Sequence, residues 1–259
     1  MSSEINLTVS PDKFSIDGIP TTVKPRIFDG QDPVLPRIAF EHPHTRATTC
    51  EQSAVVENFG FNGTALLTPK AFDGECKGLN IDTIDRSRLN GELLILNLEP
   101  GIQYGIAEIR SLLEAQGISL EPRSVPEYIV LFSTRLMKQV LETTNETGTP
   151  DYSKLSETQK NRPGITPDGA RYLQQLGLAK TFMIDNISFE VPGQQGFHAT
   201  QLLANPRPEN GEFTPLVYHI GGTDNENFTA ECQGKNVRIE IGNPPKKELT
   251  GYPVGVFAE

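Results

Sequence analysis

The chain has 259 residues, a formal net charge of −10 and 36% hydrophobic residues, a composition typical of a globular protein with a sizeable core. The negative charge argues against electrostatic binding to nucleic acid or to anionic lipid. No apolar run approaches the roughly 18 residues of a membrane-spanning helix, and the N-terminus lacks the pattern of a secretory signal. We therefore expect a cytoplasmic protein without a nucleic-acid or membrane partner.

The N-terminal part differs in composition from the rest of the chain. Residues 1–36 are rich in proline and polar residues, and we interpret them as an irregular N-terminal arm with one candidate strand, "TTVKPRIF". Such an arm is a candidate surface for wrapping a partner subunit. We expect one domain over residues 37–259.

Short continuous apolar runs follow the arm and predict buried strands. Turn-forming residues bound most of these runs. The predicted strands are "ELLILNL" (92–98), "YIVLFST" (128–134), "TFMIDNIS" (181–188), "PLVYHIGG" (215–222), "NVRIEIG" (236–242) and "YPVGVFAE" (252–259).

Segments with helical signals alternate with these strands. In "TPDGARYLQQLG", Thr166 is a candidate N-cap and Gly177 can close the helix. "FHATQLLAN" (197–205) reads as a short helix. A third helix, "IAEIRSLLEAQG" (106–117), ends at a glycine and shows one apolar face, formed by Ile106, Ile109, Leu112 and Leu113. The alternation predicts an α/β fold, and the long polar stretch 138–164 is a candidate lid or oligomer contact.

Residue types alone assign no reaction to this chain. The motifs G-x-S-x-G, G-x-G-x-x-G, H-E-x-x-H and the phosphate loop are absent. Glu41, His42 and His44 are candidate metal ligands, but a proline between the histidines favours a polar turn, and catalytic zinc expects three protein ligands. His198 and His219 are each either a general base or a hydrogen-bonded structural histidine.

The segment "FNGTALLTPKAF" (61–72) has the glycine, threonine and proline of a loop shaped to carry a site. The positions between them hold apolar side chains, which can neither bind a metal nor transfer a proton. These are Phe61, Ala65, Leu67 and Ala71. The segment thus keeps the frame of a site without its chemistry.

The order of partial motifs around this segment resembles the cyclase family of metal-dependent hydrolases, which includes kynurenine formamidase and isatin hydrolase. The family loop has the pattern H-x-G-T-H-x-D-x-P-x-H-F, and Gly63, Thr64, Pro69 and Phe72 fall in place. His198 stands on the family's histidine in an H-x-x-L-L segment. Further similar stretches are "RSRLNGELLILNL", "RPGITPDGARYLQQLGLAKTFMIDNIS" and "YPVGVFA".

The resemblance implies a single swivelling β/β/α domain of α/β class, usually in a homodimer or homotetramer with exchanged arms. It also implies that the family's loop ligands and their catalytic companions correspond to Phe61, Ala65, Leu67 and Ala71. A later family glutamate falls near Tyr218 or His219. None of these residues is a carboxylate, so we expect no metal and no other cofactor.

The apolar replacements admit two interpretations. They can dry the pocket and adapt it to an apolar or aromatic small molecule, with Phe61 stacking on a ring. Alternatively, side chains have filled the space that the metal left. On the first interpretation the substrate-binding residues are Phe61, Ala65, Leu67, Ala71 and Thr64.

Three hypotheses for function follow from the sequence. The first is a metal-independent protein that binds or transforms a small organic molecule by cyclisation, elimination, isomerisation or hydrolysis, with His198 as acid/base assisted by His219 or Tyr218. The second is a non-catalytic pseudoenzyme that serves as a structural or regulatory oligomer partner. The third is a metal-dependent amide hydrolase with relocated ligands, such as Glu41, His42 and His44 together with His198.

Overall fold

The structure is a computed structural model. It describes residues 4–8, 15–16, 19–20, 64–69, 79–136, 161–186, 188–192, 194, 197–205, 212–241 and 251–259. The candidate strand "TTVKPRIF", the candidate ligands Glu41, His42 and His44, and the site positions Phe61 and Ala71 lie outside these residues.

Twelve strands and four α-helices are found in the described part of the chain. Two short 3-10 turns, Ile81–Thr83 and Arg86–Leu89, precede the fifth strand. The strands are β1 (Ile5–Asn6), β2 (Ser15–Ile16), β3 (Ile19–Pro20), β4 (Ala65–Leu67), β5 (Asn90–Asn97), β6 (Gln103–Tyr104), β7 (Tyr128–Ser133), β8 (Gly164–Ile165), β9 (Ala179–Ile184), β10 (Leu216–Tyr218), β11 (Asn236–Ile241) and β12 (Gly251–Ala258). The helices are α1 (Ile106–Ala115), α2 (Pro167–Leu176), α3 (His198–Ala204) and α4 (Phe228–Cys232).

Seven of these strands form a closed ring. β5, β7, β9 and β10 are parallel neighbours, and β4 pairs antiparallel with β10. β12 pairs antiparallel with both β4 and β11, and β11 returns to β5. β1 adds a short antiparallel pairing to the end of β12. The curled sheet with few helices confirms the predicted α/β class.

The ring is filled by an apolar core to which every strand contributes. The register places residues of five strands side by side, and successive side chains in a strand point to opposite faces. This inner row consists of Ile95, Leu131, Met183, Val217 and Leu66, all of them fully buried. β11 and β12 complete the inner cluster with Val237, Ile239, Val254, Val256 and Ala258.

A second core lies on the outer face of the parallel strands, beneath α1, α2 and α3. Its two rows are Leu94, Val130, Phe182, Leu216 and Leu67, and then Leu96, Phe132, Ile184, Tyr218 and Ala65. Aromatic contacts reinforce the outer cluster: the ring centroids of Phe132 and Phe182 lie 5.8 Å apart, and those of Phe189 and Tyr218 lie 4.9 Å apart. The outer face therefore carries both the loop residues Ala65 and Leu67 and the helix that starts at His198.

Several local predictions are confirmed. Thr166 is the N-cap of α2, where its side chain accepts a hydrogen bond from the Gly169 amide. Gly177 closes α2 in the left-handed conformation with φ +62°. α1 buries Ile109 and Leu113 as its periodicity predicted.

Other local predictions need correction. Ile106 is 46% exposed because it stands in the first turn of α1, beyond the edge of the outer cluster. The strand predicted over 181–188 begins at Ala179 and ends at Ile184, where the chain turns. The strand predicted over 215–222 is limited to Leu216–Tyr218, because His219 adopts the left-handed conformation with φ +61°. Within the segment read as a loop, Ala65–Leu67 form strand β4 between β10 and β12.

Candidate active site

Strand β4 places two of the four apolar replacement residues on the outer face of the sheet. Ala65 is paired with Tyr218, and Leu67 is paired with Leu216. Ala65 is 1% exposed and Leu67 is 8% exposed. Leu67 belongs to the outer cluster itself. At these two positions the outer face is therefore packed against protein.

Thr64 joins the start of β4 to the end of β10. Its buried hydroxyl donates a hydrogen bond of 2.6 Å to the carbonyl oxygen of His219. This bond lies just beyond the end of the β4–β10 pairing, because Ala65, the first residue of β4, forms the terminal pair with Tyr218. Thr64 thus stabilises the local geometry, whatever further role it has in binding.

Tyr218 is a buried phenol within the outer cluster. Its ring meets Phe189 edge to face at 4.9 Å and lies 6.3 Å from the ring of His219. Burial raises the pKa of the Tyr218 phenol far above its ordinary value, an effect that the neighbouring Thr200 hydroxyl partly offsets. The phenol is therefore a proton donor, not a base, at neutral pH.

Glu190 holds the first turn of α3. Its carboxylate accepts hydrogen bonds from the Ala199 amide at 3.1 Å and the Thr200 amide at 2.8 Å. Two amides that a helix end would leave without partners are thereby satisfied. Glu190 is only 3% exposed, and burial raises the pKa of its carboxyl group, while the two amides, the Thr200 hydroxyl and His198 act in the opposite direction.

His198 is the first residue of α3 and is exposed to solvent. The next residue, Ala199, donates its backbone amide hydrogen bond to the Glu190 carboxylate. The buried carboxylate therefore fixes the backbone that carries the imidazole. The two groups also interact electrostatically, since His198 lowers the pKa of Glu190. The structure therefore presents a solvent-accessible histidine beside a buried, hydrogen-bonded carboxylate.

Arg162 contacts the backbone of the same glutamate. Its guanidinium donates to the carbonyl oxygen of Glu190. The guanidinium is half-buried, and this burial lowers its pKa, while the Glu190 carboxylate acts in the opposite direction. Glu190 thus interacts with an exposed histidine and with a half-buried arginine.

His219 is fully buried, in contrast to His198. It follows Tyr218 directly, but its backbone turns out of the strand with φ +61°. The next residue, Ile220, forms an isolated antiparallel bridge with Thr8 near the N-terminus. A role for His219 in proton transfer therefore requires that a substrate reach the protein interior.

A second buried carboxylate, Asp185, braces the ends of β7 and β9. One of its oxygens accepts from the Thr134 amide at 2.7 Å and hydroxyl at 2.6 Å, and the other accepts from the Arg135 amide at 2.8 Å and the Ser133 hydroxyl at 3.3 Å. Burial raises the pKa of Asp185, which these hydrogen bonds and Thr223 oppose. Because its oxygens are occupied by these donors, Asp185 acts as a structural brace.

Sequence reasoning missed three further residues of this region: Arg162, Glu190 and Thr200. Glu190 and Thr200 are ten residues apart, and the contact between them depends on the fold. Arg162 is the first residue of the family-like stretch "RPGITPDGARYLQQLGLAKTFMIDNIS", but the sequence assigns no functional role to that position. The spacing of a carboxylate shortly before a helix start is the one local hint of the Glu190 contact, because carboxylates favour helix N-termini. By contrast, the predicted residues Thr64, Ala65, Leu67, Tyr218 and His219 lie together where β4 meets β10.

The residues of β4 do not fit a metal ion. Zinc and manganese need three or four N, O or S donors that converge on one point, whereas Ala65 and Leu67 offer none. Over the described residues, no group of three or more histidine, cysteine, aspartate or glutamate side chains is arranged to hold a metal. In the same part of the chain no helix is long and apolar enough to cross a bilayer.

A family model described as a putative cyclase matches residues 26–191, which is more than half of the chain. The chain belongs to this cyclase family. The match includes the segment 61–72, Arg162 and Glu190, and it ends before His198. A comparison with curated proteins found no match.

Solved cyclase-family structures share the fold. A novel cyclase superposes with a TM-score of 0.55 at 14% identity, covering 100% of this chain and 87% of the other. An isatin hydrolase bound to the product analogue thioisatinate gives 0.52 at 14% identity, with coverage of 76% and 70%. Isatin hydrolase A from Labrenzia aggregata, bound to benzyl benzoate, gives 0.51 at 15% identity, with coverage of 76% and 72%. At such identities the likeness establishes the fold.

Proposed function

We propose that this cyclase-family protein is a divergent enzyme that transforms a small, largely apolar or aromatic molecule without the family's loop metal. Its acid–base group is His198. The observation that carries the proposal is the exposed imidazole at the start of α3, whose backbone is held by the buried carboxylate of Glu190.

Histidine suits this role because its ordinary pKa lies near neutrality, so both protonation states are accessible. A positioned general acid or base typically contributes about 10²–10⁴-fold to a rate, which is sufficient for a substrate that is already activated. The Glu190 carboxylate holds the backbone on which His198 stands, because it accepts from the amides of Ala199 and Thr200. Hydrolysis of an activated amide or ester is the reaction that best suits such a group.

The apolar side chains favour a substrate with an apolar or aromatic part. Ala65 and Leu67 replace ligating residues on the outer face, and Phe61 and Ala71 add two more apolar groups to the same segment. Tyr218 stays protonated, and, as for His219, a role in donating a hydrogen bond to a substrate requires that the substrate reach the protein interior. His219 and Thr64 are proposed as supporting groups at the junction of β4 and β10.

The proposal is tested with two activated probes, isatin and 4-nitrophenyl acetate. We expect His198→Gln to reduce kcat/KM for a turned-over probe by about 10²-fold or more, the general-base contribution. Gln201→Ala, on the same helix, is the matched control and should keep the wild-type rate. Equal rates for wild type and His198→Gln would refute the role of His198.

A second candidate function is a non-catalytic oligomer partner. The packing of Leu67 and Tyr218 within the outer cluster favours it, because residues that fill a former site leave less room for a substrate. This candidate predicts a stable homodimer or homotetramer by light scattering, no turnover of either probe, and no thermal shift with a panel of metabolites. Ligand-dependent stabilisation would argue against it.

A further inference from the structure

The half-buried guanidinium of Arg162 is a cation that lacks a paired anion among the described residues. Its hydrogen bond to the Glu190 carbonyl uses only part of a group that has five N–H donors. None of the ion pairs among the described residues includes Arg162. Desolvation of a charged group is costly unless an opposite charge or further hydrogen bonds compensate for it.

The nearby carboxylate does not meet this need. Both oxygens of Glu190 already accept from the Ala199 and Thr200 amides, and the carboxylate influences Arg162 at a distance, without forming an ion pair. Arginine is suited to bidentate pairing with a planar carboxylate because its donors form a rigid fork. Donor capacity on Arg162 thus remains for an additional anion.

The backbone fixes the position of Arg162 relative to the proposed site. The segment that follows it, β8, forms a parallel bridge between Ile165 and Glu190, and the Ile165 amide donates to the Phe189 carbonyl at 2.7 Å. The approach is so close that a Cβ atom on Gly164 would lie 2.5 Å from the Glu190 carbonyl oxygen. Arg162 is therefore anchored on the same glutamate that holds His198.

We propose that Arg162 binds the carboxylate of a small organic acid, so that the substrate of the His198 site is an anionic, apolar or aromatic molecule. The inference rests on the proposed function and adds the substrate class to it. A single guanidinium matches the single charge of a carboxylate, whereas a phosphate dianion requires more positive charge. Because the chain carries a formal charge of −10, an anion is attracted only where a local cation overcomes that field.

Binding is measured by calorimetry and thermal shift, independently of any turnover. The probes are benzoate, its neutral counterpart benzamide, and inorganic phosphate. We expect wild-type protein to bind benzoate in preference to both other probes. Arg162→Gln should weaken benzoate binding by about tenfold or more, and Arg162→Lys, which keeps the charge but loses the fork, should weaken it less.

Arg171→Gln is the matched control, since it removes the same charge from an exposed position on α2 and should leave benzoate binding unchanged. Circular dichroism establishes that each variant is folded, and Arg162→Lys serves if Arg162→Gln does not fold. Equal binding of benzoate and benzamide, equal or stronger binding of phosphate, or unchanged affinity in the folded Arg162 variants would overturn the inference. His198→Gln should still bind benzoate, so a failure of the proposed catalysis is distinguishable from a failure of the anion site.

Discussion

Glu190 is the residue on which the first turn of α3 depends. Replacing it with alanine leaves the amides of Ala199 and Thr200 buried without their acceptor, at a cost of about 1–3 kcal/mol in the free energy of unfolding. Glu190→Gln keeps one oxygen and should lose less. Urea unfolding followed by circular dichroism measures both changes.

The same glutamate variants separate a positioning role from a purely structural one. In the folded Glu190→Gln variant we expect kcat for an activated probe to fall with little change in KM, because the amide side chain holds the backbone that carries His198 less firmly. An unaltered kcat in a less stable variant would assign Glu190 to stability alone.

Asp185 gives a prediction for the pH dependence of stability. Burial raises its pKa above the ordinary value of 3.8, so the folded state binds this proton more tightly than the unfolded state. Its contribution to the free energy of unfolding is therefore largest below 3.8 and decreases as the pH rises through the folded pKa. The excess stability of wild type over Asp185→Asn should follow that decrease in urea titrations at several pH values.

At pH values above the folded pKa of Asp185, the difference in free energy of unfolding between wild type and Asp185→Asn should level off and remain positive. The reason is that the asparagine amide cannot accept from all the donors at this site. At least one backbone amide, of Thr134 or Arg135, then lacks its partner, which costs about 1–3 kcal/mol. If the advantage of wild type increased with pH across the range of this titration, the hydrogen bonds would outweigh burial and the pKa of Asp185 would be lowered instead.

At the level of single residues, the sequence predicted those roles that depend on residues nearby in the chain. The N-cap role of Thr166 and the closing role of Gly177 follow from positions within one helix. The sequence also shows directly that Ala65 and Leu67 are apolar and cannot bind a metal. Contacts such as that of Glu190 with α3 were not predictable, since they bring together residues that only the folded chain places side by side.

At the scale of elements, strand β8 depends on Gly164. A Cβ atom there would meet backbone atoms of Glu190 and Val191 at 2.5 Å, and backbone cannot move aside as a side chain can. We expect Gly164→Ala to destabilise the protein by more than about 1 kcal/mol, the usual cost of overpacking, and to displace Arg162. Thermal unfolding and benzoate binding measure the two effects.

Gly105→Ala is the control for this substitution. Its added Cβ atom would lie 3.2 Å from the end of the Glu108 side chain, which can move by a few tenths of an ångström and still accept from the residue 105 amide. We expect only a small change in stability and none in benzoate affinity. Similar losses for both variants would show that the close approach at Gly164 is not the reason for its glycine.

Elements were predictable in proportion to their length and their local signal. The apolar runs of β5 and β7 identified both strands to within two residues. Strand β4 has three residues, and its partners among the described strands are β10 and β12, which are far away in the sequence. Strands β6 and β8 have two residues each and pair with one another. They are too short to form an apolar run that would predict a strand.

At the scale of the whole molecule, the closed ring explains how the fold can form without metal ligands on β4. The inner core receives side chains from all seven strands, and the outer core is covered by three helices, so neither depends on ligands from β4. Leu67 contributes to the outer core directly. The order of partial motifs predicted this architecture through the family resemblance, whereas strand alternation alone gave only the α/β class.

The independence of the fold from a metal is itself testable. A metal ion bound at a concentration 100 times its Kd would contribute about 2.7 kcal/mol to stability. In a domain of this size that corresponds to roughly 5–10 °C in Tm. Since Ala65 and Leu67 provide no donors, we expect neither EDTA nor added Zn²⁺ or Mn²⁺ to change Tm beyond experimental error in differential scanning calorimetry.

Elemental analysis of the same sample makes this test decisive. A fall in Tm with EDTA, together with stoichiometric metal in the purified protein, would contradict the metal-independent proposal. It would favour ligands at Glu41, His42 and His44, which lie outside the described residues. His42→Gln should then abolish both the metal content and the EDTA effect, because removing one of so few donors destroys the convergence that a metal ion requires. A chelator-indifferent, metal-free protein would leave His198 as the acid–base group of the proposed site.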